Sequence, residues 1–189
     1  QINIEHLKNN YYLIIELSTQ DGFMKALEKI YKDKLAHEVI VSSNENQKHS
    51  IWQYRLLISE SISRRNPIKL DIDEIVKNII KLINELELFF KKDSADNLVL
   101  FGHLGDGNLH VNILPDKNNF KYDEKPVIEN KIHTIVSNLD GTFSAEHGIG
   151  ANKVKTFMKH ADKAKLDIIK NLKNHFDENK ILNPGKLVK

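Results

Sequence analysis

Residues 98–114 read Leu98-Val99-Leu100-Phe101-Gly102-His103-Leu104-Gly105-Asp106-Gly107-Asn108-Leu109-His110-Val111-Asn112-Ile113-Leu114. The apolar run at 98–101 arrives as a strand, Gly105-Asp106-Gly107-Asn108 supplies the residue types of a chain reversal, and 109–114 leaves with period-two alternation. Side chains two apart on a strand share a face, so His110 and Asn112 point one way and Leu109, Val111 and Ile113 the other. His103 and His110 then sit on adjacent strands close to one turn. An antiparallel hairpin among helices predicts an α+β fold, with an antiparallel sheet covered on one face by helices, in preference to a doubly wound parallel sheet.

Around this hairpin the pattern predicts strands at 11–17, 38–42, 68–72 and about 141–145. Helices are expected from Asp21 as N-cap through about 34, over about 44–64, 73–92, 124–139, 151–159 and 163–176. The helix at 44–64 should stop near Asn66-Pro67, because proline restricts the residue before it. Asn183-Pro184-Gly185 closes the regular structure.

A chain of 189 residues can bury one full core and has length for an appended helical piece. The formal charge of +2, from 28 basic and 26 acidic residues, provides no field to recruit nucleic acid. With no cysteine, disulfides and thiolate ligands are excluded, so any metal must be held by nitrogen and oxygen. No segment has the apolar length of a membrane span, and the start has no apolar signal core.

Taken alone, His103 and His110 are more often ordinary strand or turn histidines than metal ligands. Glu146-His147, between Ser144 and the Gly148-Ile149-Gly150 segment, changes the balance, since a carboxylate and two imidazoles form a common ligand set that leaves positions open. Glycines there permit a backbone pressed against a ligand; the plainer reading is a strand-to-helix turn. Gly105-x-Gly107 lacks a third glycine opening a helix and is no dinucleotide fingerprint. On the helix at 44–64, Arg55 interrupts the stripe of Ile51, Ile58 and Ile62, with Ser59 one turn later. That guanidinium reaches water, pairs with a distant carboxylate, or grips a substrate carboxylate with Ser59 assisting, and the sequence favours the first two.

Five segments in this order carry a resemblance: Trp52-x-x-Arg55; Lys69-x-Asp71; Gly102-His103-x-Gly105-Asp106-Gly107-Asn108-x-His110-x-Asn112; Gly141-Thr142-x-Ser144-x-Glu146-His147-Gly148-x-Gly150-x-x-Lys153; and Leu182-Asn183-Pro184-Gly185-Lys186. With them the chain resembles, over nearly all its length, the C-terminal substrate-binding domain of FAD-linked oxidases related to D-lactate dehydrogenase, D-2-hydroxyglutarate dehydrogenase and the glycolate oxidase flavoprotein subunit. The resemblance implies a large ferredoxin-like antiparallel sheet covered by helices. It further implies that His103, His110 and Glu146 hold a divalent metal (Zn, Mn or Fe), that His147 is the base, that Arg55, Ser59, Lys69 and Asn112 contact substrate, and that Asn183 and Lys186 contact the cofactor FAD.

The implied activity is oxidation of a D-2-hydroxy acid to the 2-oxo acid, with hydride transfer to FAD. The implied partners are the small hydroxy acid, an FAD-binding domain or subunit and an electron-transfer partner, in the cytoplasm or peripheral to the inner membrane. Two departures stand out. Lys69-x-Asp71 continues as Ile72-Asp73-Glu74 where the family usually reaches Ser-x-Pro, and no stretch offers a flavin-binding motif. FAD is therefore expected to be bound mainly by an N-terminal half not among these residues, and the isolated chain to be inactive. A stand-alone metal-dependent hydrolase on the same ligands, or a non-catalytic remnant binding hydroxy acids or a partner subunit, are the competing readings.

Overall fold

The computed structural model describes residues 11–73, 76–91, 98–114, 125–142, 144, 148–151 and 153–188. Its contacts divide the chain into two compact units, 1–64 and 65–189.

In the first unit, α1 (Gln20–Lys32) is capped by Thr19, whose hydroxyl accepts from the Gly22 amide at 3.2 Å. The expected cap, Asp21, instead lies in the first turn, where its charge favours the positive helix end. Asn44 caps α2 (Glu45–Leu56), and the Gln47 side chain reaches back to Ser43 at 2.8 Å, a reciprocal arrangement that pins the helix start. The expected single helix at 44–64 is divided at Leu57 into α2 and α3 (Ile58–Ser63), and ends before Asn66 and Pro67. Residues 11–17 and 38–42, expected as strands, form none. Their β-branched and aromatic content favours extension, but a strand is made by a partner ladder, and none pairs with them among the described residues. Glu16 ties the first of these runs to α2, accepting from Lys48 Nζ at 2.7 Å and Trp52 Nε1 at 2.9 Å.

The second unit is built on β1 (Ile68–Asp73), β2 (Leu98–His103) and β3 (Asn108–Ile113), antiparallel in the order β1-β3-β2. The cross-strand register aligns the alternation of all three. One face carries Ile68, Leu70, Ile72, Leu109, Val111 and Ile113, and packs on Leu82, Leu86 and Phe90 of α4 (Ile79–Lys91) and on Ile132 and Val136 of α5 (Lys125–Asn138). Each such side chain, fully buried, contributes roughly 1.5–3 kcal/mol. The other face carries Lys69, Asp71 and Asp73 on β1, Asn108, His110 and Asn112 on β3, and Phe101 and His103 on β2. The family-like α+β architecture is thus present, with three strands among the described residues.

Asp73 stays extended instead of opening the expected helix at 73–92, because its backbone exchanges hydrogen bonds with Thr142 at 2.9 and 2.8 Å. A 3-10 turn at Val76–Asn78 leads into α4 instead. This bridge is also all that is described of the expected strand at 141–145. Beyond it, α6 (Val154–His160) and α7 (Lys163–Phe176) gather a second small core of Phe157, Leu166 and Val188. No helix among the described residues is long and apolar enough to cross a membrane.

Candidate functional site

The turn between β2 and β3 occupies Leu104 to Gly107, one residue earlier than the sequence pattern placed it, so Asn108 belongs to β3. Gly107 takes a positive φ of 74°, and its amide donates to the Leu104 carbonyl at 3.3 Å. Gly102 has a different duty: a Cβ there would lie 2.0 Å from the Asn108 carbonyl oxygen, so only glycine lets the strands meet beside His103.

This packing brings the two histidines of the hairpin together. Their ring centres are 6.2 Å apart, with His103 exposed at the strand end and His110 half-buried against Phe101. His110 faces Asp71 across β1–β3, Nδ1 to Oδ1 at 3.1 Å. The same carboxylate oxygen accepts Asn108 Nδ2 at 3.1 Å. Asp71 is 6 % and Asn108 2 % exposed, so these are polar groups taken out of water and held by one another. The Asn108 Oδ1 atom has no hydrogen-bond partner among the described residues. Leaving such an acceptor unmet costs about 1–3 kcal/mol, which marks it as a place for a donor or a cation.

The bridge between Asp73 and Thr142 begins the glycine-rich segment at the histidine end of β1. Ser144 Oγ donates to the Gly148 carbonyl at 2.6 Å and accepts from Lys153 Nζ at 3.3 Å. Burial pushes the Lys153 ammonium below the usual lysine range, partly opposed by the Asp71 carboxylate, which sets the lysine within electrostatic reach of that acid. Gly148 and Gly150 have φ of 64° and 54°, and Leu187 donates to the Gly150 carbonyl at 3.4 Å, tying the loop to the C-terminal tail.

Of the expected site residues, His103 and His110 are thus brought together, with Lys69 and Asn112 opposite one another on the same sheet face. Lys69 is exposed, while Asn112 is buried and its amide donates to the carbonyls of Val99 and His110. Glu146 and His147 lie outside the described residues. Arg55, half-buried on α2, and Ser59, exposed on α3, belong to the first unit. Asn183 and Lys186 stand on an exposed C-terminal turn, where Lys186 N donates to the Asn183 carbonyl at 3.2 Å. Buried Asp177 holds the approach to that turn, accepting from Lys173 and from the Ile181 and Leu182 amides; the lysine beside it keeps its carboxyl below the ordinary range.

Asp71, Asn108 and Lys153 join the site without having been assigned a role from sequence. The period-two spacing of Lys69-x-Asp71 and of Asn108-x-His110-x-Asn112 was the available signal, but which residue faces which depends on the register between strands far apart in sequence.

No three His, Asp or Glu side chains among the described residues form a ready ligand group. The donor set nevertheless fits an ion shared with a further carboxylate. Two imidazoles on one metal, with ring nitrogens about 2.0–2.1 Å from it, keep their centres roughly 5 Å apart. His103 and His110 need close by only about 1 Å to meet that. For a flavin, the exposed turn of Asn183 and Lys186 fits a contact with a group held elsewhere.

The chain matches the family described as FAD linked oxidases, C-terminal domain, over residues 4–187. It is 35% identical over 153 residues to a D-2-hydroxyglutarate dehydrogenase of Stutzerimonas stutzeri, covering 78% of this chain and 33% of that protein. A D-2-hydroxyglutarate dehydrogenase of Xanthomonas citri is 27% identical over 94% of this chain and 39% of its own length. The mitochondrial D-2-hydroxyglutarate dehydrogenase of Arabidopsis thaliana is 29% identical over 95% of this chain and 33% of its own. The chain therefore spans little more than a third of the curated relatives it matches.

Proposed function

Because the chain belongs to the FAD-linked oxidase C-terminal domain family, we propose that it is the substrate- and metal-binding part of an FAD-dependent oxidoreductase. That enzyme oxidises a D-2-hydroxy acid to its 2-oxo acid, and D-2-hydroxyglutarate is the first substrate to test, given the relatives' names. The observation that carries the reading is the pairing of His103 and His110 beside the buried Asn108 oxygen, at the end of the sheet where Asp73 pairs with Thr142.

In this reading His103, His110 and Glu146 hold a divalent Zn, Mn or Fe, all suited to mixed imidazole and carboxylate donors. Such an ion, when bound, would supply a Lewis acid that lowers the pKa of a substrate hydroxyl. His147 takes the hydroxyl proton as general base. Arg55 forks onto the substrate carboxylate, with Ser59, Lys69 and Asn112 adding polar contacts that hold the C2–H bond toward the flavin. Asn183 and Lys186 would contact a flavin held mainly outside these residues, which would supply the acceptor for the C2 hydride.

In the full-length protein, His103→Ala and Glu146→Ala are expected to lose bound metal and turnover together, by at least about 100-fold. Arg55→Ala is expected chiefly to raise KM. Metal analysis and steady-state kinetics with D-2-hydroxyglutarate and D-lactate check this. A His103→Ala enzyme that keeps both its metal and full activity would end the assignment.

A further inference from the structure

We infer that the outward face of α7 is the docking surface for the flavin-holding part of the full-length enzyme, with Ile168, Leu172 and Phe176 as its contacts. The inference rests on the flavin reading above and gives that partner a surface which the reading did not name. Helix α7 is apolar on two sides. On one, Leu166 and Ile169 pack with Phe157 and Val188 in the small core. On another, Ile168, Leu172 and Phe176, spaced by four, stack along the helix and are 59 %, 52 % and 72 % exposed. Lys165 shares that side, but its ammonium reaches over the Phe157 ring, 5.9 Å from the ring centre. Asp167, Asn171 and Asn174 make the remaining side polar and exposed.

A surface helix needs one apolar stripe, toward its own core; a second stripe is the pattern of a helix packed between two layers. Exposed apolar residues scattered singly are ordinary, whereas a row of three large ones marks an interaction surface. What the stripe leads to identifies its occupant. At the C-terminal end of α7, Lys173 donates to the Leu182 carbonyl and to Asp177, and Asp177 accepts from the Ile181 and Leu182 amides. These bonds hold the exposed Ile181 and Leu182 to the helix end, immediately before the Asn183–Lys186 turn that would touch the flavin. Whatever brings a flavin to that turn comes up beside this end of the helix. The relatives have length for such a part, since this chain covers only 33% to 39% of three of them. A second copy of this chain would bring no flavin to the turn.

The test uses the full-length, flavin-bound protein. Residues 1–189 hold no cysteine, so single cysteines placed there can be followed by mass spectrometry of their own peptides. Leu172→Cys and Phe176→Cys are expected to react with a maleimide at least about tenfold more slowly than Asn174→Cys on the polar side, because an interface core excludes solvent. Equal rates at the three positions would overturn the inference. A photoreactive benzoylphenylalanine in place of Leu172 is expected to cross-link to the part of the protein outside residues 1–189. A cross-link to residues 1–64, the other compact unit, or to a second copy would overturn it. Leu172→Glu combined with Phe176→Glu is expected to release flavin at least about tenfold faster than Asn174→Glu does, and equal release would count against the surface. If the unaltered full-length protein binds no flavin, the flavin reading itself has failed, and the cross-link still judges the docking surface separately.

Discussion

Burial of the His133 ring on α5 couples folding to protons. The side chain is 5 % exposed, and burial, reinforced by the neighbouring His160 and Lys153, pushes its pKa down to about 4. The unfolded chain, with the ordinary histidine value of 6.5, binds this proton more readily than the folded one. Stability from a neutral His133 is therefore complete above pH 6.5 and is lost as pH falls toward and through about 4. Urea midpoints measured at intervals from pH 7.5 down to pH 4, roughly spanning this window, should fall, and a His133→Leu protein should follow a flatter course. Identical pH courses for both would refute it. None of this was visible in sequence, where His133 is one polar position on a helix. His110 was different, since its alternation with Asn112 identified its face in advance, though not its neighbour Asp71.

The hairpin is the element on which the site depends, and its tolerance for change is narrow at Gly102. Gly102→Ala would drive a methyl group against the Asn108 backbone oxygen, so the strands must part. We expect a loss of about 2 kcal/mol in chemical denaturation, with weaker metal binding because His103 and Asn108 flank the distortion. An alanine variant with unchanged midpoint and metal affinity would contradict this account. The helices were legible where their signals are local. The α7 bounds, Lys163–Phe176, agree with the expected 163–176, and α5 departs from its expectation only at the ends. The runs at 11–17 and 38–42 were misread because extended propensity cannot supply a partner strand. The helix expected at 73–92 lost its start to the backbone pairing of Asp73 with Thr142, a residue far away in the sequence.

For the molecule as a whole, the main core joins one sheet face to α4 and α5, and Leu82 and Leu86 are wholly inaccessible within it. Leu82→Ala is expected to cost about 2–5 kcal/mol, read as a lowered denaturation midpoint. The smaller core of Phe157, Leu166 and Val188 brings in the last residues of the described chain, close to the turn bearing Asn183 and Lys186. Purified by itself, the chain is expected to be colourless and without dehydrogenase activity, because its candidate flavin contacts lie on an exposed turn and no flavin-binding motif is present. Flavin absorbance in such a preparation would contradict that expectation.

Period-two alternation, the glycine turn, the proline stop after α3 and the paired imidazoles were already present in the amino-acid order. Each depends on residues a few positions apart, whose relative directions the backbone dictates. The choice of Asp71 as the neighbour of His110, the orphaned Asn108 oxygen and the approach of Lys153 came only with three-dimensional packing. They depend on the register of β1 against β3 and on the bridge from Asp73 to Thr142, and such pairings are set by burying the opposite, apolar face of the sheet.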